Sequence, residues 1–207
     1  MSEKGGKCVA MKNKNENFQY KKENNAWKHF ITITHHKWEV MQGCFRVGLY
    51  KQGILHDLSK YAWEEFRTGV YYYQGTRSPN AAEKEEKGYS SAWLHHKGRN
   101  KHHFEYWIDY SPVHGEGLVG SRMPPKYVAE MMMDRIAASK VYNRENYTQH
   151  FPLEYYEKGK HGYMIHPETR ALLEYLLHML DEQGEDVTFE YIRKNLVGKK
   201  EYPDISK

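Results

Sequence analysis

The sequence predicts an all-α helical bundle, and three stretches carry that expectation. Phe30, Ile33, His36 or Lys37, Val40, Met41 and Cys44 recur at three- and four-residue steps, the period of one helix face. Tyr127, Met131, Asp134 and Ala138 form a second stripe after Pro124-Pro125, a pair suited to a first helical turn. Leu172, Leu173, Leu176, Leu177 and Leu180 form a third after Pro167. No segment alternates with period two as a half-buried strand does.

Taken in order, residues 1–24 are rich in Lys, Asn and Glu and lack hydrophobic period, which predicts a polar tail. A single domain is expected over 25–200. Its first helix starts near Ala26, is weakened by Gly43 and Gly48, and ends at Gly53. Ile54-Leu55-His56-Asp57-Leu58 then begins a second helical element that continues through Tyr61, Ala62 and Phe66. Residues 75–88, with Gly75, Ser78, Pro79 and a mixed charged run, read as a loop. Tyr89 to His96 and His102 to Ile108 are two short helical pieces, or one helix disturbed at Gly98. Pro112, Gly115, Gly117 and Gly120 mark another loop, and Pro124-Pro125 opens a helix to about Tyr142. An irregular stretch holds Pro152 and Gly159. The C-terminal helices cover 166–197: one from Pro167 to a stop at Gly184, then a short one from Phe189 to Leu196.

Composition narrows the class. The chain has 31 basic and 27 acidic residues for a formal charge of +4, a balance that makes nucleic-acid binding an unlikely use. No run approaches the roughly 20 apolar residues that span a bilayer, and Met1 to Lys14 lacks the apolar stretch of a secretory signal. Cys8 sits in the polar tail and Cys44 in an apolar helical segment; with no disulfide framework, a cytoplasmic location is expected. Histidine stands out at 13 residues, many in doublets (His35-His36, His95-His96, His102-His103). Histidine is the commonest side-chain metal ligand.

Two positions join polar chemistry to apolar surroundings. His56 and Asp57 lie between Ile54-Leu55 and Leu58; buried bare they are costly, and a divalent cation compensates both. An imidazole nitrogen beside a hard carboxylate oxygen suits Mn, Fe, Ni, Co or Zn. Asp134 shares its helix stripe with apolar residues, so its carboxylate also needs a partner.

The string Leu55-His56-Asp57-Leu58-Ser59-Lys60 resembles the signature of the HD superfamily of metal-dependent phosphohydrolases. That resemblance implies an HD-domain-like helical bundle with a metal core over about 30–140. It implies a ligand set of His36, His56, Asp57 and Asp134, with Lys60 where many relatives have a lysine. His35 competes with His36 for the first position, and the spacing to Val40 favours His36. The chain also resembles a family of small, functionally unassigned bacterial and phage proteins through its HDLSK, HHKGRNKHH, MPPKYVAEM and IHPETR strings.

His95-His96-Lys97-Gly98-Arg99-Asn100-Lys101-His102-His103 is the second constellation. Seven residues separate the members of each pair, so a continuous helix would align them, whereas a bend at Gly98 would fold both doublets toward one point. Superfamily members with two metals take extra histidines from this interval, usually more widely spaced. His96 and His103 are the expected ligands of a second ion, though either member of each doublet can face inward. His95, His102, Arg99, Asn100 and Lys101 are the expected substrate contacts. Glu64 and Glu65 read as solvated helix residues, one of which can reach the site.

The expected activity is metal-dependent hydrolysis of a phosphoester, of a nucleotide or a small phosphorylated metabolite, with one or two divalent ions, Asp57 as ligand and bridge, and Lys60 as catalytic cation. A non-haem di-iron oxygenase on the same fold and a non-catalytic metal-binding module are the alternatives.

Overall fold

The computed structural model describes residues 25–205; the expected polar tail over 1–24, and Cys8 with it, lies outside them. The elements are α1 (Asn25–Val47), α2 (Tyr50–Leu55), α3 (Trp63–Tyr71), α4 (Pro79–Lys87), α5 (Ser91–Lys97), β1 (Ile108–Tyr110), β2 (Leu118–Gly120), α6 (Pro125–Asn143), α7 (Phe151–Gly159) and α8 (Pro167–Asn195). The chain is an all-α bundle carrying one two-stranded antiparallel hairpin, with Asp109 opposite Val119.

Three helices make the core. α6 is central, with Val128 through Met133 all buried, and it packs against α1, α7 and α8. A helix buried around most of its circumference needs no polar face. α1 turns His29, Ile33, His36, Val40, Cys44 and Val47 inward, and α8 contributes Leu172, Leu173, Leu176, Leu177 and Leu180. Within this interior α1 and α6 place His36, Glu130 and Asp134 close together. At Gly184 the α8 backbone leaves helical geometry (φ 85°, ψ 176°), the expected break, beyond which Phe189 and Ile192 return to the core.

The structure corrects several boundaries. α1 ends at Gly48, whose φ of 89° is the left-handed conformation that glycine adopts without penalty. Gly53 lies inside α2 and serves packing instead: a Cβ there would sit 2.9 Å from Cys44 Cβ and 3.3 Å from Met41 Cα. The element expected to begin at Ile54 does not start there. α2 stops at Leu55, and His56-Asp57 occupy a turn before a single 3-10 turn over Leu58–Tyr61.

The stretch read as a loop over 75–88 contains α4, entered through Ser78-Pro79 and closed by Gly88 at φ 80°. Those are start and stop signals that the mixed charged run obscured. Glu83 in α4 is fully buried and accepts hydrogen bonds from Ser90 Oγ (2.6 Å), Ser91 Oγ (2.7 Å) and the Ala92 amide (3.4 Å). It thereby fixes the start of α5. The irregular stretch after α6 contains α7, which buries Leu153 and Tyr156. The glycine-marked loop before α6 holds the hairpin β1–β2, missed because three-residue strands are too short to show alternation.

The α1–α2 contact yields a test. Gly53→Ala gains helix propensity of about 1 kcal/mol but forces a methyl group into contacts whose relief costs about 1–3 kcal/mol. A lowered Tm in thermal unfolding is the expected result, and an unchanged or raised Tm would contradict the close packing.

Candidate metal centre

The His56-Asp57 turn is shaped by its neighbours. Asp57 adopts φ 53° and ψ 26°, a left-handed conformation uncommon outside glycine but accessible to aspartate. Lys37, the neighbour of His36 on α1, donates from Nζ to the carbonyls of Ile54 (2.6 Å) and His56 (2.8 Å). The end of α2 is thus clamped by a cation, as helix C-termini favour. The Asp57 carboxylate is consequently thrust into the bundle, where it is 1% exposed.

Around it the structure gathers side chains from α1, the 56–60 turn, α5, the segment after it and α6. Asp57 Oδ2 lies 3.6 Å from His36 Nε2 and 3.3 Å from His56 Nε2, and Asp134 Oδ1 lies 3.0 Å and 3.4 Å from the same two nitrogens. On the other side, Asp57 Oδ1 lies 3.3 Å from His96 Nε2 and 3.4 Å from His102 Nε2. His103 belongs to this second group. Two cation-sized groupings, His36/His56/Asp57/Asp134 and Asp57/His96/His102/His103, therefore share one carboxylate, one oxygen each. For metal–ligand bonds of about 2.0–2.2 Å, neighbouring ligand atoms stand roughly 3.0–3.5 Å apart. The observed separations match the edges of such polyhedra.

The hydrogen bonds leave the right atoms bare. His56 Nε2, His102 Nε2, His103 Nε2 and both Asp57 oxygens are buried without a hydrogen-bond partner; Lys60 Nζ is 2.5 Å from Asp57 Oδ2 but out of line for a hydrogen bond. Each unsatisfied buried polar atom costs about 1–3 kcal/mol. The five lie around Asp57, divided between the two groupings, and fit a centre that can hold metal ions.

The opposite ring nitrogens are occupied. Glu130, one turn before Asp134 on α6, bonds His56 Nδ1 at 3.1 Å and His102 Nδ1 at 3.2 Å through the same oxygen, Oε1. Glu65 on α3 bonds His96 Nδ1 at 2.8 Å. Carboxylates on the far nitrogens orient imidazoles toward a metal and raise their basicity. Glu130 was not singled out in the sequence reading, and Glu65 was read as a solvated residue, with it or Glu64 able to reach the site. Glu130 had a signal, a carboxylate four residues from Asp134 on a helix lined with methionines; Glu65 had none beyond its proximity to the His-Asp string.

The residues expected to contact substrate occupy different settings. His102 lies inside the cluster, buried, together with His96 and His103. His95 is held between Glu64 (2.9 Å) and Glu65 (2.7 Å). Asn100 donates to the His96 carbonyl (2.8 Å) and Ser59 Oγ (2.9 Å), tying the end of α5 to the turn that follows His56-Asp57. Arg99 and Lys101 are exposed: Arg99 donates to the His95 carbonyl, and Lys101 lies over the Tyr106 ring. The physical reason is the bend. α5 ends at Lys97, and the chain turns through 98–103 into a 3-10 turn at Phe104–Trp107, so both histidines of the second doublet reach the interior. His36 points inward, whereas His35 is exposed and pairs with Glu39.

Electrostatics follow from this packing. Burial opposes charge on His56, but the Asp57 charge, the nearby Asp134 carboxylate and the hydrogen bond to Glu130 outweigh it and hold the imidazole well above its usual range. His96 is likewise raised, burial being overcome by Asp57 and Glu65. Burial works against ionised Asp57 and Asp134 as well. His56, Lys60 and His96 around the first, and His36 and His56 around the second, hold both well below the carboxylate range. His103 is driven well down by burial and then by His102 and His96, leaving a neutral ring.

Two outcomes follow from the cluster. Raised pKa values on His56 and His96 mean that their imidazolium forms persist to higher pH than usual, so protons compete with a cation for ligand nitrogens. Metal affinity is therefore expected to fall as pH is lowered, by about tenfold per pH unit for each proton displaced; chelator competition at several pH values measures this, and a pH-independent affinity contradicts it. Glu130→Gln, which keeps shape but loses the charge shared by two imidazoles, is expected to weaken metal binding by about 10–100-fold while circular dichroism stays unchanged. Wild-type affinity in that variant would remove Glu130 from the site.

No curated protein and no solved structure matches this chain. One family model does match, over residues 25–179, and the matched span contains every side chain of the cluster from His36 to Asp134. The chain therefore belongs to the family that this model describes, a family of unknown function (DUF5662).

Proposed function

We propose that this chain is a hydrolase of phosphoesters that works with two divalent transition-metal ions bridged by Asp57. The observation that carries the reading is the division of one buried carboxylate between two groups of imidazoles, Oδ2 toward His36 and His56, Oδ1 toward His96 and His102. The HD-superfamily character of the Leu55–Lys60 string and the order His36, His56-Asp57, Asp134 support it. Nitrogen and carboxylate donors without thiolate suit Mn, Fe, Co, Ni or Zn; Cys44 is buried in the core.

Ions held there supply Lewis acidity toward a phosphoryl oxygen and a water of lowered pKa. The remaining work belongs to the side chains. His36, His56, His96, His102, Asp57 and Glu130 have side chains no more than 8% exposed, while Asp134 reaches 17% and Lys60 27%. The substrate accordingly approaches across Lys60 and Asp134. Burial disfavours the Lys60 ammonium, but Asp57 and Asp134 more than compensate and push its pKa up. Lys60 therefore acts as a fixed positive charge on the phosphoryl oxygens and does not give up a proton. Arg99 and Lys101 are exposed, outside the buried cluster. A nucleotide or another small phosphorylated metabolite is the substrate class.

The test is phosphate release by protein reconstituted with each of Mn, Fe, Co, Ni and Zn against a panel of nucleotides and simple phosphoesters. Two metal equivalents per chain and turnover with at least one substrate are expected. Lys60→Ala should lower kcat by about 100-fold or more with metal content retained. No release with any of the five metals overturns the hydrolase reading.

The five histidines favour a second reading, a di-iron oxygenase, because nitrogen-rich ligation with a bridging carboxylate also suits paired iron. Oxygen consumption by the iron-loaded, reduced protein, together with absent phosphate release, would select it.

A further inference from the structure

We infer that the outer face of α1 is a docking surface for a second copy of this chain, paired about a two-fold axis near Thr34. The inference is independent of the metal reading. Trp27, Ile31, Thr34 and Trp38 recur at steps of four, three and four, the spacing of a helix–helix seam. They run along the side of α1 opposite His29, Ile33, His36 and Val40, which face the core. Trp27 is 60% exposed, Ile31 49% and Trp38 55%, and none of the four stripe residues carries a charge.

The stripe continues into neighbouring apolar groups. Phe30 stacks on Trp27 with ring centroids 5.6 Å apart and meets Tyr61 edge-on at 6.0 Å. Tyr61 hydroxyl and Thr34 Oγ1 are 3.0 Å apart. Ile54 and Leu58 are 54% and 49% exposed, and Lys37 holds the Ile54 carbonyl against α1. With aromatic side chains worth roughly 150–250 Å² each, the exposed parts of Trp27, Phe30, Ile31, Trp38, Ile54 and Leu58 amount to about 600 Å². That equals the largest apolar patch normally tolerated on a monomer, and two such faces reach the roughly 1,200 Å² at which specific interfaces begin.

The face is also shaped to receive itself. Phe30, Ile31, Thr34, His35 and Trp38 line a shallow apolar groove. In an antiparallel pair centred between Thr34 and His35, Trp38 of each copy meets Ile31 of the other, and small Thr34 lies near the axis where two bulky residues would collide. A self-complementary patch of this kind closes at two copies.

Sedimentation velocity on the full chain at micromolar concentrations tests the inference. The expected species has twice the chain mass of 24.7 kDa. Ile31→Glu with Trp38→Glu is expected to return it to one chain mass with unchanged circular dichroism. As a second route that does not disturb the seam, Thr34→Cys in a Cys8→Ser background should form an intermolecular disulfide on mild oxidation. A monomer at every concentration, a dimer that survives the double substitution in folded form, or absence of the Thr34→Cys cross-link overturns the proposal. So does a chain that is monomeric in solution and sediments with anionic phospholipid vesicles.

Discussion

The Asp57 carboxylate is the constraint on which the rest of the site depends. It is buried at the centre of the bundle with neither oxygen hydrogen-bonded, in a backbone conformation that only a few residue types accept. Lys37 holds the turn from behind, Lys60 faces the carboxylate from the solvent side, and four imidazole nitrogens approach within 3.3–3.6 Å. α1, α5, α6 and the segment after α5 have no other reason to bring polar side chains to the same place. Asp134, Glu130 and Glu65 each hold one or two of the imidazoles, and Asp57 alone faces both groups.

The interior balances itself with protons. His56 and His96 are raised, and Asp57, Asp134 and Glu130 lowered, each against the effect of burial. Mutual ion pairing thus lets a polar cluster persist beside the methionine-lined side of α6.

Much of this was legible in the sequence, for particular reasons. The periodicity of α1 and the stripe on α6 oriented His36 and Asp134 because both helices bury one clear face or more. The Leu55–Lys60 string singled out His56 and Asp57, although it read as the start of a helix where the structure has a turn. The left-handed geometry of Asp57 was not legible, since it arises from the Lys37 clamp, a contact between residues 19 apart in sequence. Which member of each doublet faces inward was not legible, since the interval fitted either a continuous helix or a bend at Gly98; the chain turns after Lys97, and bonds through Asn100 set its path. α4 was concealed by its composition: its buried residues are Ala82 and Glu83, so it has no hydrophobic signal to read.

That concealed helix changes where the chain can be cut or lengthened. Charged, glycine-flanked surface segments are the usual places to splice a tag or open a new terminus, and residues 79–87 look like one. Yet Glu83 is the anchor of the first turn of α5, and α5 ends in His95 and His96, so an insertion there would be felt among the buried imidazoles. The tip of the β1–β2 hairpin has no such tether. Gly115 and Gly117 face open space, and extra residues at that point would leave the interior as it is.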